Sequence, residues 1–413
     1  MTIIIGGGPA GMMAAISASS GQGGVTLIEK NEYLGRKLLL TGGGRCNMTN
    51  ACAGEELVRH FSRTGSFLRD AFNAFDNNDL IAFLDERGLK TKTEENGRVF
   101  SATDKASSVL DLLEAEMRKL NVKVLTKTRV KEVVVSHGAV KGVLCEDGAL
   151  INADKVIVAT GGVSYGATGS TGDGIKMAEK LGHAIVPLKP GLVPLDLASS
   201  LPEKLEGISL DGVKLILKTD KKKITSERGA LIFTKNGISG PVTLSASSQV
   251  VDWLGEGKKV SVEIDILPLF NPKETDLMLI KKITASPGKD LKQILKEFVP
   301  LRLNTLLLEL ANIPQDKRAN QVTAGERKAL TALLKGLKFA VADTVSIEKA
   351  QITRGGVSVK EIDPKTMQSK KVKGLYFAGE MIDVDGTCGG FNLQAAFSTG
   401  RLAGRMDSRP PRE

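Results

Sequence analysis

Residues 374–400 read Gly374-Leu-Tyr-Phe-Ala-Gly-Glu-Met-Ile-Asp-Val-Asp-Gly-Thr-Cys-Gly-Gly-Phe-Asn-Leu-Gln-Ala-Ala-Phe-Ser-Thr-Gly400. The apolar run Leu375 to Phe377 predicts a buried strand stopped by Gly379-Glu380, then a loop, then a helix whose first turn begins near Gly389-Gly390. The first N–H groups of a helix have no partner within it and carry the positive end of its dipole. A helix start reached through two glycines, which let backbone come close, is therefore expected to face a ligand. Standing alone, the segment would be an ordinary strand, turn and helix.

The amino terminus supplies the other half. Thr2-Ile-Ile-Ile is a short β-branched run, followed at once by Gly6-Gly-Gly8-Pro9-Ala10-Gly11 and by the helix formers Met12-Met-Ala-Ala-Ile-Ser-Ala18. Gly6, Gly8 and Gly11 fit G-x-G-x-x-G, which needs a tight turn, close approach of backbone to pyrophosphate, and close helix–strand packing, in that order. A second strand, Val25-Thr-Leu-Ile, leads to Glu29, where an acid can bond ribose hydroxyls. Strand, turn, helix, strand and acid predict a dinucleotide site. The carboxy-terminal helix start would stabilise the charge near N1 and the C2 carbonyl of a reduced isoalloxazine, so the expected dinucleotide is FAD.

Two further stretches read as parts of the same site. In Gly35-Arg36-Lys37-Leu-Leu-Leu-Thr-Gly-Gly43-Gly44-Arg45-Cys46-Asn47-Met-Thr-Asn50, the glycine run suits backbone lying against a flat ligand. Arg36 and Lys37 are placed to meet phosphate, while Arg45 and Asn47 are candidates for polar edges of the ring or of a substrate above it. The run Asp154-Lys-Val-Ile-Val-Ala-Thr160-Gly161-Gly162 predicts a buried strand, continued by Ser164-Tyr165-Gly-Ala-Thr-Gly-Ser-Thr-Gly-Asp-Gly174 and a helix that Gly182 ends.

With these strings in view, the whole chain resembles a family of bacterial NAD(P)/FAD-dependent oxidoreductases that includes aminoacetone oxidase and the bile-acid reductase BaiN. More distantly it is similar to the fumarate reductase and L-aspartate oxidase type. The resemblance implies pyrophosphate contacts from Gly8, Pro9 and Ala10, and adenosine ribose held by Glu29 with Lys30 beside it. It also implies that Arg36, Lys37 and the backbone of Gly43, Gly44, Arg45, Cys46 and Asn47 touch the diphosphate, ribityl chain or ring. Val130 would read adenine through its backbone, and Thr160, Gly161 and Gly162 would pack along the adenosine half. Gly379, Glu380 and Asp385 would follow the ribityl half, and Gly390, Phe391, Asn392 and Leu393 the pyrimidine edge.

The expected fold class is α/β, a Rossmann-like FAD-binding domain interrupted by an inserted β-barrel plus a helical subdomain. Residues 1–187 and 352–413 form the FAD-binding domain, 188–270 and 338–351 the inserted β-barrel-like domain, and 271–337 the helical subdomain. A proline cluster from Pro187 to Pro194 marks the first change, short alternating strands follow, and from Asn271-Pro-Lys-Glu the periodicity is helical. Met406 to Glu413 reads as a frayed tail. At 413 residues the chain exceeds the size at which one core stops growing.

No apolar run reaches membrane-spanning length and the first strand begins at Thr2, so a cytoplasmic enzyme without a membrane partner is expected. Four cysteines without C-x-x-C spacing and three histidines predict no metal. Cys46 and Cys388 fall inside the flavin motifs and raise a redox pair, against which stands their simpler role as small residues lining a crowded pocket. The net charge of +10 is scattered, with Lys221-Lys-Lys223 the one run, so nucleic acid is not the expected partner.

The expected activity is reduction of bound FAD by NADH or NADPH, docking transiently, with hydride passed on to an unsaturated or carbonyl-bearing small organic acceptor. Arg45, Asn47 and Tyr165 are the candidate substrate contacts, and no catalytic acid or base is assigned. The alternatives are an oxidase of a small amine such as aminoacetone using oxygen, and an RNA-modifying or non-catalytic flavoprotein.

Overall fold

The structure is a computed structural model describing residues 1–19, 21, 23–61 and 64–405; the expected tail, Met406 to Glu413, lies outside the described residues. Contacts divide the chain into two compact units, Met1–Gly191 with Ile347–Glu413, and Leu192–Ser346.

The first unit is built on a five-stranded parallel sheet. Its strands are β1 (Thr2–Ile5), β2 (Val25–Ile28), β3 (Lys123–Leu125), β4 (Lys155–Val158) and β5 (Leu375–Phe377), in the order β5-β4-β1-β2-β3. Ile3 lies opposite Val156 on one side and Thr26 on the other. A parallel sheet is covered on both faces, and the strands accordingly read as continuous apolar runs; Ile3, Ile4, Leu27, Val156 and Ile157 are all fully buried. Helix α1 (Pro9–Ala18) follows β1, α2 (Asp173–Lys180) follows β4, and α3 (Phe391–Gly404) follows β5. Between Glu55 and Leu120 the chain is mostly helical and also contains a hairpin, Thr91–Thr93 with Arg98–Ser101.

The second unit contains a closed barrel. Strand Ser209–Lys218 pairs with Gly229–Phe233 along its first half and with Val260–Asp265 along its second. The ring is completed through Gly237–Ser239, Leu195–Leu197 and Leu337–Thr344. Helix Pro272–Ala285 starts on an Asn271 capping box, with Asn271 Oδ1 accepting from the Glu274 N–H at 3.0 Å and Glu274 returning the bond to the Asn271 N–H at 2.8 Å.

The expected division of the chain changes at several bounds. The first unit continues into the proline cluster as far as Gly191 and resumes at Ile347 in place of 352. Ile185–Gly191 forms an antiparallel ladder with Ile352–Val357, bulged between Val186 and Lys189 so that Pro187 falls where pairing is interrupted. The helical stretch 271–337 shares one core with the barrel: Leu279, Leu303, Leu307, Leu330 and Leu334 pack with Leu215, Val262 and Ile264.

Candidate functional site

In the first unit, the ends of β1, β2 and β4 and the starts of α1 and α3 enclose a cavity of about 1360 Å³ including its open mouth. Its wall includes Gly6, Gly8, Pro9, Ala10, Glu29, Lys30, Arg36, Lys37, Val130, Thr160, Gly161, Gly379, Glu380, Asn392 and Leu393. These come from five separated stretches of sequence, brought together because the parallel strand order puts the loops after β1, β2, β4 and β5 at one edge.

The glycine fingerprint has the geometry that the spacing predicts. A Cβ on Gly11 would lie 1.9 Å from the Gly6 carbonyl oxygen, so helix and strand touch there. At Gly8 a Cβ would meet nothing within 4 Å, which leaves room for a ligand against the backbone. Helix α1 has Pro9 at its first position and no side-chain cap. The Ala10 and Gly11 N–H groups are thus left for an anion such as pyrophosphate. Thr160 Oγ1, in the cavity wall, is buried without a hydrogen-bond partner. An open helix start, a Cβ-free approach and a buried hydroxyl awaiting a partner fit the pyrophosphate and adenosine portion of FAD.

The charged wall residues are already engaged. Glu29, 8% exposed, accepts from the Gly7 N–H at 2.7 Å, the Asn31 N–H at 2.8 Å and Asn31 Nδ2 at 2.7 Å, leaving about one lone-pair direction for a ribose hydroxyl. Lys37 Nζ reaches Glu380 at 2.8 Å and Ser164 Oγ at 2.7 Å. Glu380 also accepts from the Thr353 N–H at 2.7 Å. Lys30 pairs with Asp173 at 2.8 Å, and Arg36 donates to Asn31 Oδ1 at 3.0 Å. Asp173 is held at about 2: burial opposes its ionisation, but hydrogen bonds from Arg129 and Lys30 prevail.

Other expected residues are not in the wall, and most of them have a structural occupation. Gly11 packs on β1, and a Cβ at Gly162 would lie 2.2 Å from Thr353 Oγ1. Arg45 pairs with Glu94 at 2.7 Å and Asp104 at 3.3 Å, its guanidinium 4.0 Å from the Phe100 ring centroid. With its amide oriented to match donors and acceptors, Asn47 accepts from the Gly390 N–H at 3.0 Å and donates to the Thr49 carbonyl at 3.0 Å. It therefore ties the glycine loop to the start of α3, using a donor expected for the flavin. Gly390 has φ 99°, and a Cβ there would sit 2.3 Å from the Thr49 carbonyl oxygen, so protein backbone requires this glycine. The Phe391 ring stacks on His60 with centroids 3.9 Å apart. Asp385 lies 3.5 Å from Arg354 Nε, both buried. Tyr165 donates its N–H to the Glu348 carbonyl. Gly43, Gly44 and Cys46 likewise lie outside the wall, in a loop where the Cys46 N–H donates to Thr41 at 2.9 Å.

The structure adds Asn31, Arg129, Thr168, Gly169, Ser170 and Asp173 to the wall. For Thr168, Gly169, Ser170 and Asp173 the sequence signal was the glycine-rich run from Ser164 to Gly174, in which they lie; Asn31 and Arg129 lie outside it. His183 is buried, sharing hydrogen bonds with the Ala178 carbonyl and Ser369 Oγ, as a packing residue would.

The Cys46 thiol is fully buried, and burial pushes it up to about 12; burial raises Cys388 too. Neither forms thiolate readily near neutral pH. The Cys46→Ser, Cys388→Ser double variant is expected to keep flavin-linked turnover, and a loss of turnover with flavin still bound would restore the redox pair. Among the described residues no group of side chains could hold a metal ion, and no helix is long and apolar enough to cross a membrane.

The chain matches the HI0933-like protein Rossmann domain over residues 1–406. It is 34% identical over 411 residues to the 3-dehydro-bile acid delta(4,6)-reductase of Clostridium scindens, covering 99% of each chain. It is 33% identical over 399 residues to the ribosomal RNA dihydrouridine synthase of Escherichia coli, covering 96% of this chain and 95% of that protein. Among solved structures, 3-ketosteroid delta1-dehydrogenase from Sterolibacterium denitrificans superposes with a TM-score of 0.54 at 12% identity, covering 98% of both chains, a likeness of fold alone. Matched over nearly its whole length, and carrying the cavity described above, the chain belongs to the HI0933-like Rossmann flavoproteins and is an FAD-dependent oxidoreductase.

Proposed function

We propose that the enzyme takes electrons from NADH or NADPH and saturates a carbon–carbon double bond conjugated to a carbonyl in a small organic acceptor. The carrying observation is the cavity itself. It is built on the one G-x-G-x-x-G in the sequence, with no second fingerprint for a resident nicotinamide, so a nicotinamide would dock transiently. The names of the curated relatives support saturation as the chemistry, since a delta(4,6)-reductase and a dihydrouridine synthase each add hydrogen across a ring double bond.

Bound FAD would supply two-electron transfer between the nicotinamide and the acceptor. The chain's own part is positioning: the α1 start holds the pyrophosphate, Glu29 the ribose, and Lys37 carries a positive charge into the wall, balanced by Glu380.

A second reading replaces the small acceptor by a uridine in RNA. Two relatives with that activity in their names favour it. Anaerobic titration with NADH and then NADPH, followed through the visible flavin bands, tests the shared part. Bleaching within seconds is expected; bands that persist until an amine is added would turn the assignment to an oxidase. Reduced enzyme is then offered an unsaturated 3-oxo bile acid or ribosomal RNA lacking dihydrouridine. Reoxidation by the first supports the small-acceptor reading, and dihydrouridine formed in the second supports the RNA reading.

A further inference from the structure

We infer that Arg129 is the surface on which the adenine of the bound dinucleotide stacks, with Asp173 the positioning residue that fixes its guanidinium plane; this rests on the FAD reading. Asp173, at the first position of α2, accepts four hydrogen bonds. Its Oδ1 receives Arg129 Nη2 and Thr171 Oγ1, each at 3.0 Å, and its Oδ2 receives Arg129 Nε at 3.2 Å and Lys30 Nζ at 2.8 Å. An ionised carboxylate has about four lone-pair sites, so none is left for a ligand hydroxyl and the group acts on the protein. Two parallel bonds to one carboxylate lock a guanidinium in plane. Glu146, 3.1 Å from Nη1, holds the third nitrogen.

Arg129 nevertheless lines the cavity. With a donor on each nitrogen committed to a carboxylate, its flat face is better suited to an aromatic ring than its edge is to a phosphate. FAD has two flat groups. Glu29, the ribose contact, and the neighbouring Asn31 lie in the same part of the wall, and the Thr128 N–H donates to the Glu29 carbonyl at 3.0 Å. The segment Thr128-Arg129, which leads into the strand Val130–Ser136, is thus joined to the adenosine side, and the flat group at that side is adenine.

FMN carries the same ring, ribityl chain and one phosphate but no adenosine, which separates stacking from general damage. Flavin-stripped protein is titrated with FAD and with FMN, read by flavin fluorescence, with the melting temperature of the stripped protein as a folding control. Arg129→Ala is expected to weaken FAD about tenfold while FMN binding is unchanged. Asp173→Asn is expected to shift FAD in the same direction by a smaller factor. Arg129→Lys keeps the charge without the plane and recovers little; it carries the comparison should the alanine variant not fold. Undiminished FAD affinity in Arg129→Ala, or equal losses for FAD and FMN, overturns the inference. A wild-type protein that binds FAD no better than FMN overturns the cofactor reading and the inference with it.

Discussion

Gly400→Ala is expected to lower the melting temperature by several degrees and to loosen flavin retention, although the same change in an open helix stabilises. Gly400 and Gly404 lie one turn apart on α3. A Cβ on the first would stand 2.2 Å from the Ala10 carbonyl oxygen, and one on the second 2.4 Å from the Ala14 carbonyl oxygen. The two helices thus meet backbone to backbone along glycines of one and alanines of the other. Helix propensity favours alanine by about 1 kcal/mol, whereas overpacking costs about 1–3 kcal/mol or more. The penalty wins here because the obstructing atoms belong to a main chain that cannot rotate away. Each kcal/mol lost corresponds to roughly 2–4 °C in a domain of this size. Ala10 also lines the cavity, so displacing α1 disturbs the pyrophosphate turn. Gly325→Ala, in helix Ala324–Lys335 with nothing nearer than Thr323 Oγ1 at 3.9 Å, is the control and is expected to raise stability. A Gly400→Ala protein that melts higher, as that control should, would refute the tight crossing.

These glycines show where legibility ends. The fingerprint at Gly6, Gly8 and Gly11 was readable because each glycine answers to a neighbour a few residues away, within one strand–turn–helix unit. Gly400 answers to Ala10, nearly the whole chain distant, and no local pattern records that partner. The same limit explains Arg45 and Asn47. Their residue types suited a flavin edge, yet Glu94, Asp104 and the Gly390 N–H, which take up their hydrogen-bonding capacity, arrive from other elements. Conversely, Arg129 and Asp173 are 44 residues apart and meet only because the loop before α2 passes beside the strand that starts at Val130. The barrel was legible through alternation in its strands, but the shared core that joins it to the helices of 271–337 was not, since periodicity gives each element's buried face without naming what covers it.

Glu29→Ala is expected to have the largest effect on cofactor binding, and by two routes. The first is direct: a hydrogen bond from ribose to a charged acceptor contributes about 1.5–3 kcal/mol, a factor of roughly ten to a hundred in affinity. The second is through the turn. The carboxylate holds the Gly7 N–H at 2.7 Å and the Asn31 N–H at 2.8 Å from a position 8% exposed. Removing it leaves both donors to water or to nothing, at about 1–3 kcal/mol for each that stays buried. Gly7 sits between Gly6 and Gly8, so the turn that receives phosphate loses its brace. FMN, which has no adenosine ribose, should therefore also bind more weakly to Glu29→Ala, in contrast to the selective loss expected at Arg129. Glu29→Gln keeps one carbonyl oxygen as acceptor and should fall between the alanine variant and the native protein for both flavins. Full flavin occupancy in purified Glu29→Ala protein would remove Glu29 from the ribose site. A loss confined to FAD would keep the ribose contact and show instead that the turn stands without its carboxylate brace.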